Sequence, residues 1–488
     1  MKQPNIKRNY VYRLLYEILL VVMPLITTPY IARVLEPDGV GTYSYISSIM
    51  TYFTLIAALG TSSYGAREIA RHRDNKQESS KLFWEIELMS VCTSIVCLIG
   101  WIILVLLSTK YTILLWALTP TLLAKMFDIS WFYTGQEKII YSILWNAICK
   151  VIGVCLIFLL VKEKTDLGKY VLINSFALLL SNISMWIFLP RFLTQVKLTD
   201  LSIGRHFRET LVYFIPAVAT TIYTVLDKTL INIITGDVFE NGYYEEATKV
   251  INLVKTLVFT SVNAVMGARI SYLFAKQAFD EIKQRIARSM DFILLVGYGS
   301  MFGIIGISSN FVPLFFGDKY GPVVPLLYAM SILIIIIGIS NCLGTQYYTP
   351  SGKRKESAKY IIYGCLVNLI LNMILIPLWG ALGAAVASVV AESFIAVLYL
   401  YNGRSFFNIR NLFVFSWKRV IAGLLMCVIV ARVGTIPLNQ SYVTICVQVL
   451  CGVLCYGIFL FILQDKMALE LVGQVKYYLI RISLKKHH

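Results

Sequence analysis

Charged side chains are scarce in this sequence: Asp, Glu, Lys and Arg together make up 15% of its 488 residues. Soluble domains carry about 25% charged residues, and about 45–50% of their residues are apolar. Here the apolar share is 58% and the mean hydropathy is +0.71. This composition excludes an ordinary soluble globular protein and predicts an all-α polytopic membrane protein.

Residue types that carry enzyme chemistry are also few. The chain has four histidines, of which His72 and His206 fall between apolar segments and the other two end the chain. It contains no Gly-rich phosphate loop and no His-x-x-x-His pair. The ten cysteines lie inside apolar runs without zinc-ligand spacing, which favours small buried side chains. We therefore predict a protein that is not an enzyme and has no metal site and no cofactor.

Acidic residues are outnumbered, and the net charge is +17. The basic residues stand in short blocks between apolar segments, so no polar face is available to bind nucleic acid. Such blocks are typical of cytoplasmic loops next to anionic lipid headgroups. The excess charge therefore indicates contact with membrane lipids and not with nucleic acid.

Apolar segments recur along the whole chain, and a membrane span needs about 20 mostly apolar residues. We predict fourteen spans, at 12–34, 39–62, 83–107, 112–134, 139–161, 168–190, 209–235, 247–268, 291–316, 321–346, 357–378, 380–402, 417–437 and 442–464. With the N-terminus inside, the Lys- and Arg-rich connections all fall on the cytoplasmic side. Both termini are therefore predicted to be cytoplasmic, and 467–486 reads as an amphipathic helix at the membrane surface.

A weak internal repeat divides the chain. Pro24, Gly41 and Arg67 are echoed by Pro216, Gly242 and Arg269, at offsets of 192 to 202 residues. Two halves with six spans each are related as parallel repeats, an arrangement common in carriers. We predict an N-terminal six-helix bundle at 1–206, a second six-helix bundle at 207–402, and two additional helices with the tail at 403–488.

Several motifs resemble bacterial polysaccharide flippases of the O-antigen or capsule type, within the superfamily of multidrug, oligosaccharidyl-lipid and polysaccharide exporters. They are the stretch from Pro24 to Ser44, Ser63 to Arg67, Asp128 to Glu137, and Leu226 to Leu230. The resemblance covers essentially the whole chain. It implies a protein of the bacterial cytoplasmic (inner) membrane that moves an undecaprenyl-pyrophosphate-linked oligosaccharide from the inner to the outer leaflet. A glycan polymerase is a candidate protein partner.

Charges in the middle of a span are costly and tend to face a cavity or a partner. Lys125, Lys150, Lys228 and Lys255 are the deep cations, and we interpret them as ligands of the pyrophosphate. Asp128, Asp227 and Glu392 are the deep acids, and we interpret them as coupling or gating residues. The alternatives are that Lys125 and Asp128, three residues apart, neutralise each other, and that Glu392 is the partner of a lysine.

Further candidates lie at the ends of spans or in the first helix of each half. Arg33, Arg67 and Arg269 are substrate-binding candidates, with headgroup anchoring as the alternative. Pro24 and Pro216 are gating candidates because proline permits a helix to bend, and the alternative is a static kink.

The resulting hypothesis is alternating access to a cationic central cavity. A multidrug exporter of the same superfamily is one alternative, although cationic drugs would favour an acidic cavity. A membrane-embedded glycan polymerase or ligase is the other, although such enzymes need a larger outer loop than any predicted here.

Overall fold

The computed structural model describes residues 6–414, 416–436 and 441–474, and within these ranges the regular secondary structure is helical throughout. Some side chains inside the helices, that of Pro216 among them, lie outside the described set. The predicted tail helix at 467–486 is described only as far as residue 474, where the chain is helical. These observations and the apolar helices below confirm the all-α membrane fold.

Sixteen α-helices are described in these ranges. They are α1 (Ile6–Ala58), α2 (Thr61–His72), α3 (Lys76–Leu107), α4 (Thr112–Met126), α5 (Ser130–Gly135), α6 (Ile140–Leu160), α7 (Leu167–Met185), α8 (Gly204–Thr235), α9 (Val238–Ala275), α10 (Phe279–Phe316), α11 (Val323–Ser331), α12 (Leu333–Leu343), α13 (Arg354–Gly403), α14 (Ile409–Phe413), α15 (Ser416–Val433) and α16 (Ser441–Ile462). Short 3₁₀ turns at Lys164–Asp166, Trp186–Arg191, Leu198–Asp200 and Asp318–Tyr320 and a π turn at Gly344–Tyr348 complete the set.

Two of the long helices each join two of the predicted spans. In α1 the only non-helical dihedrals are at Glu36, with φ 59° and ψ 174°, and the following Pro37 disfavours helical geometry at this position. In α13 the break falls at Gly380, with φ 55°, where the absence of a Cβ makes positive φ accessible. By length and composition, nine helical stretches of the described residues are suited to cross a membrane, so the count of fourteen stays a prediction.

The chain forms two compact units, 1–242 and 243–488. The predicted bundle limits at 206 and 402 stay predictions. In unit 1 (residues 1–242), α4 and α6 both pack on α7, and α1 packs on α3 and α8. In unit 2 (residues 243–488), α10 packs on α12, α15 and α16, and α12 packs on α13.

Unit 1 contains a close backbone crossing at two glycines of the sequence repeat. A Cβ added at Gly41 would lie 1.8 Å from the carbonyl oxygen of Val238, and one added at Gly242 would lie 2.0 Å from that of Pro37. No real Cβ can occupy either position. The repeated glycine thus has a structural reason, since α1 and the start of α9 touch where both lack side chains.

Unit 2 attaches its last two long helices through a buried ion cluster. Arg419 on α15 is fully buried, and its Nε donates to Asp465 at 3.0 Å. Its Nη2 lies 2.7 Å from Oδ1 of Asp291 on α10, and its Nη1 donates to the backbone carbonyl of Asp291 at 2.9 Å. One guanidinium therefore fixes α15, the segment after α16, and α10 together.

We expect Arg419→Met to destabilise the protein by about 3–5 kcal/mol, because the buried carboxylate of Asp465 loses its partner. The double variant with Asp465→Asn should recover part of the loss, since no unpaired charge remains. Thermal unfolding of the purified protein in detergent measures both. The matched control is Arg288→Met, which removes an exposed pair with Glu470 and should cost at most about 1 kcal/mol. Equal effects of the two single variants would contradict this account of the cluster.

Candidate functional site

The first deep lysine of unit 1 is paired. Lys125 Nζ lies 3.0 Å from Oδ2 of Asp128, and Oδ1 of Asp128 accepts hydrogen bonds from the backbone and the hydroxyl of Ser130. The two residues are paired, but not across a turn of one helix, since α4 ends at Met126 and Asp128 lies in the break before α5. An aspartate that bonds to the backbone two residues further on favours such a break.

The second deep lysine, Lys150, has no such neighbour. It is exposed on α6, and the described residues offer it neither an ion pair nor a hydrogen bond. It stands ten residues from each end of α6, about 15 Å at 1.5 Å per residue. That distance exceeds the length of a lysine side chain, so its ammonium group cannot reach either headgroup region along the helix.

The adjacent Asp227 and Lys228 lie on α8. Asp227 is buried and Lys228 is half-buried. The backbone carbonyl of Lys228 accepts a hydrogen bond from Asn241 at 2.9 Å, which ties α8 to the start of α9 within unit 1. Their roles in binding or coupling stay predictions.

Unit 2 brings Lys255 of α9 within electrostatic range of Glu392 of α13. Glu392 is buried, one helical turn beyond Ser388. Ser388 accepts a hydrogen bond from Asn368 at 3.4 Å, and Asn368 accepts one from Asn372 at 3.0 Å. Glu392 thus lies near Lys255, at one end of a polar strip inside α13, and its role as a lysine partner or as a coupling residue stays a prediction.

The three arginine candidates lie in different surroundings. Arg67 donates to the hydroxyl of Tyr213 on α8. Arg269 lies 3.2 Å from Glu281, and its guanidinium stacks 5.4 Å from the ring centre of Tyr272. Arg33 is exposed on α1, three residues before the break at Glu36. Arg269 is neutralised within its own unit, whereas Arg67 joins α2 to α8.

The structure describes the two proline candidates to different extents. Pro24 lies inside α1, where helical dihedrals continue through it. The break in α1 lies twelve residues further on, at Glu36. The backbone of Pro216 belongs to α8, but its side chain lies outside the described residues. Gating by either proline stays a prediction.

Sequence reasoning missed a buried polar cluster at the N-terminal end of α8. The carboxylate of Glu85 on α3 accepts hydrogen bonds from the backbone of Ser202 at 2.7 Å, from Arg205 at 2.5 Å and from His206 at 2.8 Å. His206 Nδ1 lies 2.7 Å from the hydroxyl of Tyr64 on α2. Glu85 and His206 are 121 residues apart, so no local pattern could have joined them.

A second missed residue is Glu87, two positions along α3. It is 2% exposed, and neither carboxylate oxygen has a hydrogen-bond partner among the described residues. Asp128 lies within electrostatic range of Glu87, and the indole of Trp131 lies close to it. The only available sequence signal was an acidic residue among apolar neighbours early in the third span.

The fold and these intramembrane charges define an α-helical multi-pass membrane protein. Residues 6–271 match the family described as polysaccharide biosynthesis protein. The match covers more than half of the chain, which therefore belongs to this family. The resemblance seen in the sequence is confirmed.

Proteins similar to this chain carry transporter and flippase names. A protein of Escherichia coli (strain K12) named for O-antigen transport is 23% identical over 401 residues, 81% of this chain and 96% of the relative. Agl15 of Haloferax volcanii, named as a flippase of low-salt glycan biosynthesis, is 24% identical over 227 residues, 44% of this chain and 45% of the relative. The names of both relatives refer to transporters and not to enzymes.

Two solved structures share the fold. The lipid II flippase MurJ in an inward closed conformation has a TM-score of 0.72 at 18% identity, covering 92% of this chain and 98% of its own. An inward-facing multidrug resistance transporter of the MATE family has a TM-score of 0.60 at 13% identity, covering 78% of this chain and 94% of its own. At these identities the likeness shows the fold alone.

We expect Glu85→Gln to destabilise the protein by about 1.5–3 kcal/mol, because the charged acceptor of Arg205 and His206 is lost while the shape is kept. The measurement is thermal unfolding in detergent. Glu78→Gln is the matched control on the same helix, since Glu78 is half exposed and its pair with His72 spans 3.5 Å. A Glu85→Gln variant as stable as the control would refute a stabilising role of the cluster.

Proposed function

We propose that this protein is a flippase that moves an undecaprenyl-pyrophosphate-linked oligosaccharide from the inner to the outer leaflet of the bacterial cytoplasmic membrane. Its family, the flippase and transporter names of its relatives and its fold support transport of a lipid-linked glycan. In this proposal both termini are cytoplasmic and a glycan polymerase uses the flipped product.

The observation that carries the proposal is the position of Lys150. An ammonium group in mid-span without a protein partner costs several kcal/mol against acyl chains, so it needs water or an anion. A pyrophosphate headgroup supplies that anion, through charge-assisted hydrogen bonds to its phosphate oxygens. Lys125, Lys228 and Lys255 are the further cations proposed to meet the headgroup.

The acids are proposed to act as partners of these lysines. Asp128 and Glu392 neutralise Lys125 and Lys255 while no substrate is bound, and an incoming pyrophosphate competes with them for the ammonium groups. Alternating access follows if this exchange biases the protein between two conformations. Asp227, Pro24 and Pro216 are proposed to take part in that change, and Arg33, Arg67 and Arg269 in capture of the substrate.

A multidrug exporter is the second candidate, because the MATE fold is shared. Cationic drugs require unpaired acids in the transport path. Of the candidate acids, Asp128 is paired with Lys125 and Glu392 lies within electrostatic range of Lys255. Lys150 has no ion-pair partner among the described residues, and these observations favour an anionic substrate instead. A polymerase or ligase has no support from the names of the relatives.

Deletion of the gene should trap the lipid-linked glycan on the inner leaflet, where a membrane-impermeant lectin cannot reach it in intact cells or spheroplasts. Permeabilisation should then reveal it. Loss of a polymerase would instead leave single units accessible on the outer face. Lectin-accessible glycan at the normal level in the deletion strain would refute the flippase proposal.

Lys150→Ala should lower the initial rate of glycan export by about ten- to a hundred-fold, which corresponds to the ~1.5–3 kcal/mol of a hydrogen bond to a charged group. Lys169→Ala is the matched control, because Lys169 is exposed at the start of the next span and paired with Asp166 at 2.6 Å. Both variants should accumulate to the normal protein level. Export by Lys150→Ala at the control rate would refute the role of Lys150 in binding.

A further inference from the structure

A cavity of about 730 Å³ lies in unit 1 beside the connection from α7 to α8. Its wall includes Trp84 of α3, Trp186 and Leu189 at the end of the α7 region, and Leu193, Val196 and Leu201 of the connection. The two indole rings lie 6.3 Å apart. Ligand sites of proteins have volumes of about 300–1,000 Å³ and mostly apolar walls, so this cavity has the size and lining of a site for an apolar chain.

The connection is fixed to α3 on both sides of the cavity. On one side the backbone and the hydroxyl of Thr194 donate to the hydroxyl of Ser80, at 2.9 and 3.2 Å. On the other side the backbone of Ser202 donates to Glu85 at 2.7 Å. Residues 194–202 are thus attached to α3 at both ends and form an arch beside the cavity, and Trp84, between Ser80 and Glu85 in α3, lines that cavity. Hydrogen bonds at both ends of the arch fix its position relative to α3, so the cavity is a feature of the folded unit.

The rim of the cavity is basic. Between residues 191 and 208 the chain carries four cations, Arg191, Lys197, Arg205 and Arg208, against one acid, Asp200. Arg205 is engaged with Glu85, whereas Arg191 and Lys197 are exposed next to the lining residues. In the predicted topology this rim lies at the inner leaflet, where anionic headgroups collect basic side chains. Tryptophans such as Trp84 and Trp186 are typical of that depth.

We propose that this arch cavity is a binding site for an anionic phospholipid of the inner leaflet. One acyl chain lies against the two tryptophans, and the phosphate meets Arg191 and Lys197. The inference is independent of the glycan substrate, because it rests on the apolar lining, the fixed arch and the charge of the rim.

The test uses the full-length protein in nanodiscs that contain either brominated phosphatidylglycerol or brominated phosphatidylcholine, with tryptophan fluorescence as the readout. Bromine quenches an indole that it contacts. We expect the anionic lipid to quench one fluorescence component at a several-fold lower mole fraction than the neutral lipid. The double variant Trp84→Phe and Trp186→Phe should remove most of this selective component, since both indoles line the cavity. Trp116→Phe is the matched control, since Trp116 is an exposed tryptophan on α4 and should be quenched equally by both lipids.

The rim is tested by the double variant Arg191→Gln and Lys197→Gln, both at exposed positions where folding should be unaffected. We expect the selectivity for the anionic lipid to fall to near unity while quenching of Trp84 by the neutral lipid persists. Three results would overturn the proposal: equal quenching by the two lipids in the unaltered protein, a selective component that survives loss of both Trp84 and Trp186, or unchanged selectivity in the variant of Arg191 and Lys197.

Discussion

A charge inside a membrane needs a partner in the protein, water or a bound ion of opposite charge, because the acyl chains offer it neither water nor a hydrogen bond. This constraint organises both units. Arg419 forms ion pairs with Asp465 and Asp291. Glu85 contacts Arg205 and His206, and Lys125 is paired with Asp128. The Arg419 and Glu85 clusters join segments that are far apart in the chain, whereas the pair of Lys125 and Asp128 is local. Buried polar contacts therefore decide which helices pack together, whereas the apolar surface that faces lipid does not specify particular partners.

Under the proposed function, the same constraint separates structural charges from those that bind the substrate. A pair such as Arg419 and Asp465 is closed, since both side chains are fully buried and satisfied. Lys150 is open, since it lies in mid-span without a described partner. A carrier needs such open groups to replace the hydration shell of its substrate, and it needs closed groups to keep its helices in place. The fold is shared by a lipid II flippase and by multidrug transporters, so the distinction between substrates has to come from side chains such as these.

The arch between α7 and α8 shows how a polar cluster also shapes the membrane-facing surface. Glu85 accepts a hydrogen bond from the backbone of Ser202 at one end of the arch. It also contacts Arg205 and His206 at the start of α8. The segment that links the α7 region to α8 is thereby fixed to α3 and α2. In the predicted topology the arch lies at the inner surface of the membrane, next to lipid headgroups.

The sequence by itself determined the class of fold, because hydropathy and helix length are local properties that a bilayer selects directly. It also located the deep charges Lys125, Lys150, Lys255 and Glu392, since a charge among apolar neighbours stands out without any structure. It could not tell a closed group from an open one. Whether Lys125 meets Asp128, whether Glu392 faces Lys255, and whether Glu85 reaches His206 depend on helix breaks and on contacts between residues up to 137 positions apart. Only the tertiary structure decided these, because the partner of a buried charge is set by which helices pack side by side.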